Sequence, residues 1–461
     1  MKSLAIIGLD CAAPALVFDR FAADLPNLRA LMAGGSWGPL RSSDPPITVP
    51  AWSCITASRD AGQLGFYGFR NRRDYSYDAY QIADSKAVHV PRLWEILSQA
   101  GHDVIVHGVP QTYPVTPVRG AMVSCFLTPS TKSQYTYPAD LKAVVEQVAG
   151  GYVLDVEDFR TDDKQALLGR IYGKTRKHFA VARHLVSHQP WQFFMMVEMG
   201  VDRIHHAFWR FMDPANRNYQ AGHPMEQAIR EYYRFVDREV GELISLLPSD
   251  CAVMVVSDHG AKSMDGGVCV NEWLIEKGYL RLKQTPTKPT PIGQAQIDWA
   301  NTKAWGDGGY YARIFLNVQG REPQGVIPAA AYQEERIKLA RELEAICDAQ
   351  GQPLGTRALM PEEIYREVGG VAPDLLVYFG DLKWRSVGSV GLNTILTYDN
   401  DTGPDDANHD YEGIFILNER GSRPASQRGR IEGRRLYDVA PTALRLLDLA
   451  PTPGMIGQSW L

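Results

Sequence analysis

Seven short apolar runs, separated by segments of a different period, constrain this chain more than any other feature. They cover 4–9, 104–109, 193–197, 252–256, 314–316, 375–378 and 414–417, and their unbroken, β-branched character reads as strands buried on both faces. Between them, apolar residues recur at helical spacing over 26–33, 90–100, 166–188, 225–247 and 437–447. Such alternation predicts an α/β sandwich around one mostly parallel sheet. The 461 residues exceed a usual single core. No repeat divides them, so one catalytic α/β domain over 1–461 is expected, with a cap insertion at 128–190 and a second insertion near the site mouth at 261–313.

Charge narrows the partners. Asp and Glu number 53 against 48 Lys and Arg, a net charge of -5, which argues against a nucleic-acid polymer or an anionic membrane. No run reaches 18 uninterrupted apolar residues, and MKSLAIIGLD meets Asp10 too early for a secretory leader, so a cytoplasmic location is expected. The six cysteines lack CxxC spacing and read as small buried hydrophobes rather than a disulfide framework or zinc knuckle.

In open α/β sheets ligands gather at the carboxyl ends of strands. Three such ends are acidic here: Asp10 after IIGL, Asp258 with His259 after VMVVS, and Asp202 shortly after FFMMVE, with His206 four residues on. On a helix an i,i+4 pair lies about 6 Å apart on one face, close enough for a carboxylate and an imidazole to clamp one ion. Taken singly, a strand-end carboxylate more often caps the next helix, and an Asp-x-x-x-His pair more often forms a surface hydrogen bond. Their convergence on one sheet edge points to a dinuclear metal site. Thr48, between Pro46 and Pro50 and ahead of a helical stretch, is either the cap of that helix or a nucleophile facing an anion at its N-terminus.

The motifs IIGLD, ITVPAWSCITAS, VDRIHHAFWR, VVSDHGA, NEWLIEKGYL, IFLNVQGREPQG, GVAPDLLVYF, NHDYEGIF and DVAPTALRLL occur in that order over nearly the whole chain. In this set the sequence resembles the alkaline phosphatase superfamily, in its predicted phosphohydrolase or phosphomutase branch related to type I phosphodiesterases and nucleotide pyrophosphatases. The resemblance implies an alkaline-phosphatase-like three-layer sandwich with cap insertions. It also implies one divalent ion held by Asp10, Thr48, Asp258 and His259 and another by Asp202, His206 and His409. His409 is chosen on the resemblance alone. Zinc suits the mixed carboxylate and imidazole set first and manganese second. Thr48 would attack phosphorus to give a phospho-threonine that water discharges, making the chain a phosphodiesterase or pyrophosphatase acting on a small soluble phosphate ester.

Some features depart from the pattern. A Pro-Gly-x-His-Gly-like stretch is usual after the nucleophile, and Gln63 and Leu64 stand where its histidine would be; Cys54 lacks the sulfatase context, being followed by Ile55, Thr56 and Ala57. Arg70, Arg72, Lys262, Asn271, Tyr310 and Arg313 are candidates for substrate contacts, although arginine-rich loops are commonly solvated surface and core packing explains aromatics as well. Two alternatives stay open: a phosphomutase using the same nucleophile, and a catalytically silent module that binds metal or nucleotide.

Overall fold

A computed structural model of the chain describes residues 2–420 and 428–461. Its centre is a ten-stranded sheet. The middle five strands, Ala252–Val256, Leu4–Leu9, Phe193–Glu198, Val104–His107 and Gly120–Val123, are parallel neighbours in that order. Glu412–Asn418 joins Ala252–Val256 antiparallel, and Ser36–Arg41 lies beyond it. Alternate side chains of Leu4–Leu9 go to opposite faces, as the two-residue period of a strand requires. Ala5, Ile7 and Leu9 join a core with helices Pro26–Gly34, Lys164–His188, Gly200–Met212 and Ala228–Ser245. Leu4 and Ile6 join another with helices Thr48–Ala57, Leu93–Gln99 and Val439–Leu446. Three layers result, and burying each large aliphatic side chain in them contributes about 1.5–3 kcal/mol.

Two strands lie elsewhere than the sequence suggests. The chain leaves the central sheet after Val256 and returns at Glu412, so the excursion expected over 261–313 continues to about residue 411. Within it, Ala312–Leu316 and Leu375–Tyr378 pair in a separate four-stranded antiparallel sheet with Ala304–Asp307 and Arg357–Leu359. This lobe has its own core, including Trp273, Phe315 and Leu339. An apolar run reports that a strand is buried but not which sheet it enters, and the runs 314–316 and 375–378 are corrected on that ground.

The segment 128–190 departs from a simple cap. Thr136–Tyr137 extends the edge of the central sheet, and helices Leu141–Ala149 and Lys164–His188 bury Val145, Leu167, Ile171 and Phe179 in the same core as the central strands. Among the described residues, no helix is long and apolar enough to cross a membrane.

Candidate metal centre

The central strands aim their carboxyl ends at one place. Asp10 follows Leu4–Leu9, its N–H donating to Glu198 O at 3.0 Å. Asp258 and His259 follow Ala252–Val256, while Asp202 and His206 sit one turn apart on Gly200–Met212. His409 arrives from 150 residues downstream of His259 (409 minus 259) because Ala407–Asp410 pairs antiparallel with Gly260–Ser263, setting His409 opposite Ala261. The His259 and His409 rings stack at 3.7 Å. Thr48 opens helix Thr48–Ala57, whose N-terminus no side chain caps, and its Oγ1 lies 3.4 Å from His259 Nε2.

All seven expected side chains therefore meet, and all are buried. His259 Nε2 is 3.1 Å from Asp258 Oδ2 and 3.8 Å from Asp10 Oδ1. His206 Nε2 is 3.1 Å from Asp202 Oδ1 and 3.3 Å from His409 Nε2, while His409 Nε2 is 3.6 Å from Asp202 Oδ1. These separations match the edge of about 3.4 Å that a tetrahedral shell with bonds of about 2.1 Å requires. Asp202 falls into both groupings, with His206 and His409 and also with Asp10 and His259.

Hydrogen bonds fix the donor set. His206 Nδ1 faces Asp405 Oδ1 at 2.8 Å and Ala407 O at 3.0 Å, His409 Nδ1 faces Pro46 O at 2.9 Å, and His259 Nδ1 faces Gly260 O at 3.1 Å. Each of these partners only accepts, so Nδ1–H donates and the Nε2 lone pairs point into the cluster. Asp10 Oδ1 and Asp258 Oδ2 are buried and receive no hydrogen bond. Buried carboxylate oxygens without donors are costly unless a cation meets them, so this set fits divalent ions.

The electrostatics agree in direction. Burial, with Asp258 and Asp202 adding to it, pushes the Asp10 carboxyl well up. His259 is raised to about 9 by Asp258 and Asp10 although burial opposes this, while burial and the charge of His259 pull His409 down to about 3. Asp202 is held well below the usual carboxylate range by His206, His409 and Arg203 although burial opposes this, so three buried carboxylates share one space with one of them firmly ionised.

Residues 4–412 match the sequence profile of the type I phosphodiesterase / nucleotide pyrophosphatase family. The chain belongs to that family. Two solved folds lie close to it. Murine ectonucleotide pyrophosphatase / phosphodiesterase 5, in an inactive form in complex with AMP, matches at TM-score 0.57 with 14% identity over 98% of this chain and 96% of the neighbour. Phosphonoacetate hydrolase from Sinorhizobium meliloti 1021, in complex with phosphonoformate, matches at TM-score 0.60 with 18% identity over 96% and 95% of the two chains. No curated protein matches by sequence. The alkaline-phosphatase-like fold and the superfamily branch read from the motifs thus hold for this phosphodiesterase-family chain.

The candidate substrate residues divide. Tyr310 reaches the centre, its ring stacked on His409 at 4.1 Å and on His206 at 4.9 Å. Arg72 does not: its side chain is 1% exposed, pairs with Glu322 at 3.3 Å and packs against the Trp305 and Phe315 rings. Asn271 is also elsewhere, its amide tying Gly306 and Gly388 of the second lobe together at 2.7–2.9 Å. Arg313 pairs with Asp307 and donates to Arg70 O, while Arg70 is exposed beside Tyr80. Lys262 turns to Asp410 at 2.9 Å. In a strand successive side chains alternate, so Lys262 leaves the face on which its neighbour Ala261 meets His409.

Other residues support the centre without having been singled out. Trp52, one turn after Thr48, donates Nε1–H to Asp10 Oδ2 at 2.6 Å and crosses Gly8, where a Cβ would lie 2.5 Å from its ring. The i,i+4 spacing from Thr48 was the available signal. Arg203 donates to Asp202 Oδ2 at 2.5 Å and to Asp155. Asp405 holds His206 and also pairs with Arg160, Asp406 pairs with Arg210, and Asp401 lies near Arg385. The three aspartates Asp401, Asp405 and Asp406 are thus each met by a different arginine. Cys11 lies near His259 and His409, but its thiol donates to Gly260 O at 3.3 Å, and burial with the surrounding carboxylates keeps it protonated.

Proposed function

We propose that this chain hydrolyses a phosphodiester or pyrophosphate bond in a small soluble phosphate ester, with Thr48 as nucleophile and two divalent ions, zinc in preference to manganese, held by Asp10, Thr48, Asp258 and His259 and by Asp202, His206 and His409. The observation that carries this reading is the Thr48 hydroxyl 3.4 Å from His259 Nε2, beside two buried carboxylate oxygens that receive no hydrogen bond. The threonine-to-alanine form of the murine neighbour, inactive and in complex with AMP, supports a threonine in this role.

When bound, the ions would supply positive charge that neutralises phosphoryl oxygens and favours the ionised hydroxyl. The chain's own residues set the geometry. Pro46 and Pro50 hold the backbone around Thr48, and the uncapped first turn of Thr48–Ala57 offers N–H groups to a phosphoryl oxygen. Trp52 keeps Asp10 oriented, while Asp405 and Pro46 O keep His206 and His409 oriented. Thr48 Oγ bonds to phosphorus as the P–O bond to the leaving alcohol breaks, and that alcohol takes up a proton. Water then attacks the phospho-threonine, its P–Oγ bond breaks, and the hydroxyl regains a proton. Six cysteines, all free, fit a reducing compartment such as the cytoplasm.

The test is turnover of bis-p-nitrophenyl phosphate with zinc or manganese by the wild type and Thr48→Ala, with intact-mass detection of a phosphorylated chain. The expected result is a loss of at least about a thousandfold and a phosphoryl adduct on wild type only. Undiminished turnover by Thr48→Ala would overturn the assignment.

A further inference from the structure

The loop that delivers Thr48 to the metal centre is short and stiff. Pro45 and Pro46 fix two of its φ angles, so a shift at Asp44 passes along the backbone toward Thr48 with little room to be absorbed. The centre itself holds this loop at two points. Ser42 Oγ donates to Asp258 O at 2.6 Å, and Pro46 O accepts from His409 Nδ1 at 2.9 Å. Asp44, between them, is held from elsewhere.

That hold comes from the second lobe. Tyr365 Oη donates to Asp44 O at 2.8 Å, and Tyr378 Oη donates to Asp44 Oδ1 at 3.1 Å. Packing fixes both rings: Tyr378 is fully buried with its ring 6.0 Å from that of Tyr311, and buried Tyr365 lies 5.6 Å from the ring of Tyr67. Buried phenols with an acceptor each are fixed donors. The Asp44 carboxylate has little other support, since Arg41 Nη2 is 3.9 Å away and both side chains are partly exposed.

The same part of the lobe also reaches the far end of the nucleophile helix. Residues 365–370 run between helix Pro361–Ile364 and strand Leu375–Tyr378. Arg366 N donates to Asp60 Oδ2 at 3.0 Å, Gly369 N to Gly62 O at 2.8 Å, and Tyr67 Oη to Gly369 O at 2.7 Å. The approach is close, for a Cβ at Gly62 would lie 2.2 Å from Glu367 O. Helix Thr48–Ala57 is thus gripped ahead of its first residue and beyond its last.

The two grips differ in what they control. Contacts beyond Ala57 fix where the helix ends, whereas those at Asp44 fix where it starts, and its first residue carries the hydroxyl. In-line attack is sensitive to that placement, a shift of about 1 Å being enough to cost about a hundredfold in rate. The geometry points to Asp44, Tyr365 and Tyr378 as positioning residues that set the Thr48 hydroxyl for attack, through hydrogen bonds rather than charge. This rests on the phosphoesterase reading above and gives the second lobe a part in that reaction.

The experiment follows bis-p-nitrophenyl phosphate hydrolysis per folded chain in Asp44→Ala, Asp44→Asn, Tyr365→Phe and Tyr378→Phe. Asp44→Ala and the two phenylalanine variants are expected to lower kcat by about tenfold, with KM and bound metal within about twofold of wild type. Asp44→Asn keeps an Oδ1 acceptor for Tyr378 and is expected to recover most of that loss. A merely structural contact lowers the melting temperature and leaves kcat per folded chain at the wild-type value; that result, or an Asp44→Asn as slow as Asp44→Ala, would overturn the assignment. Failure of the phosphoesterase reading shows separately, as no turnover by wild type. Hydrogen exchange then decides, read by mass spectrometry on peptides covering Ala51, whose N–H donates to Ile47 O at 3.0 Å. Exchange about tenfold faster in Asp44→Ala and restored in Asp44→Asn supports the tether, and any other pattern overturns it.

Discussion

Two buried charged clusters stand at neighbouring strand ends and handle their charge in opposite ways. In the first, Asp10 and Asp258 each keep a buried oxygen without a donor, and three histidine Nε2 atoms converge on the same space. In the second, both oxygens of Glu198 are engaged: Oε1 accepts from Lys174 at 3.0 Å, Thr175 at 3.1 Å and Gly200 N at 2.8 Å, and Oε2 meets His178 Nδ1 at 2.8 Å. Saturation ties the strand end to the start of Gly200–Met212, the helix bearing Asp202 and His206. Deficit prepares a place for cations. Burial alone therefore does not separate structural charge from functional charge; the unpaired acceptors do.

The largest expected contrast comes from one substitution in each cluster. Asp258→Asn should lower kcat/KM on bis-p-nitrophenyl phosphate by at least about a hundredfold and yet raise the melting temperature of chelator-treated protein, because it relieves repulsion with Asp10. Glu198→Gln should do the reverse to stability, costing about 3–5 kcal/mol by denaturant unfolding while bound metal per folded chain stays unchanged. A stabilising Glu198→Gln would erase the distinction.

Metal removal should act on the first cluster only. Chelation is expected to destabilise wild type by about 2.7 kcal/mol for each ion relative to free metal at a hundredfold its Kd, and equally in Lys174→Met; thermal melts in matched buffers check this.

Acid should act on the second. Burial, with the Lys174 charge adding to it, pulls His178 down to about 4, below the ordinary value of about 6.5. The unfolded chain then binds more protons between those values, so stability falls as pH drops from about 6.5 to 4. Lys174 and His178 hold Glu198 well below the usual carboxylate range against burial, which extends the loss below about pH 4.5. Chelator-treated protein with a flat melting profile across that window would contradict the saturated arrangement. The smallest effect belongs to Arg70→Ala: an exposed side chain beside Tyr80 should change kcat/KM by less than about twofold in the same assay.

What the sequence made legible follows from the range of each signal. Asp10, Asp258 and His259 were readable because a strand end is a local pattern, and Asp202 with His206 because one helical turn is. His409 depends on a pairing across 150 residues, which no local pattern records, and only the ordered family motifs pointed to it. The same limit misassigned 314–316 and 375–378, whose burial is local but whose partners are not. Arg72 and Asn271 were misread for a different reason: both make polar bonds within the second lobe, and residue type alone does not distinguish a side chain that binds substrate from one that ties two segments together.

The central claim is that seven buried side chains, Thr48 among them, hold two ions. Elemental analysis of the purified chain and of His409→Ala tests it most directly. Two divalent ions per wild-type chain, with one lost in His409→Ala, is the predicted result. Wild-type protein that contains no stoichiometric metal yet turns over a phosphodiester in excess chelator would contradict it.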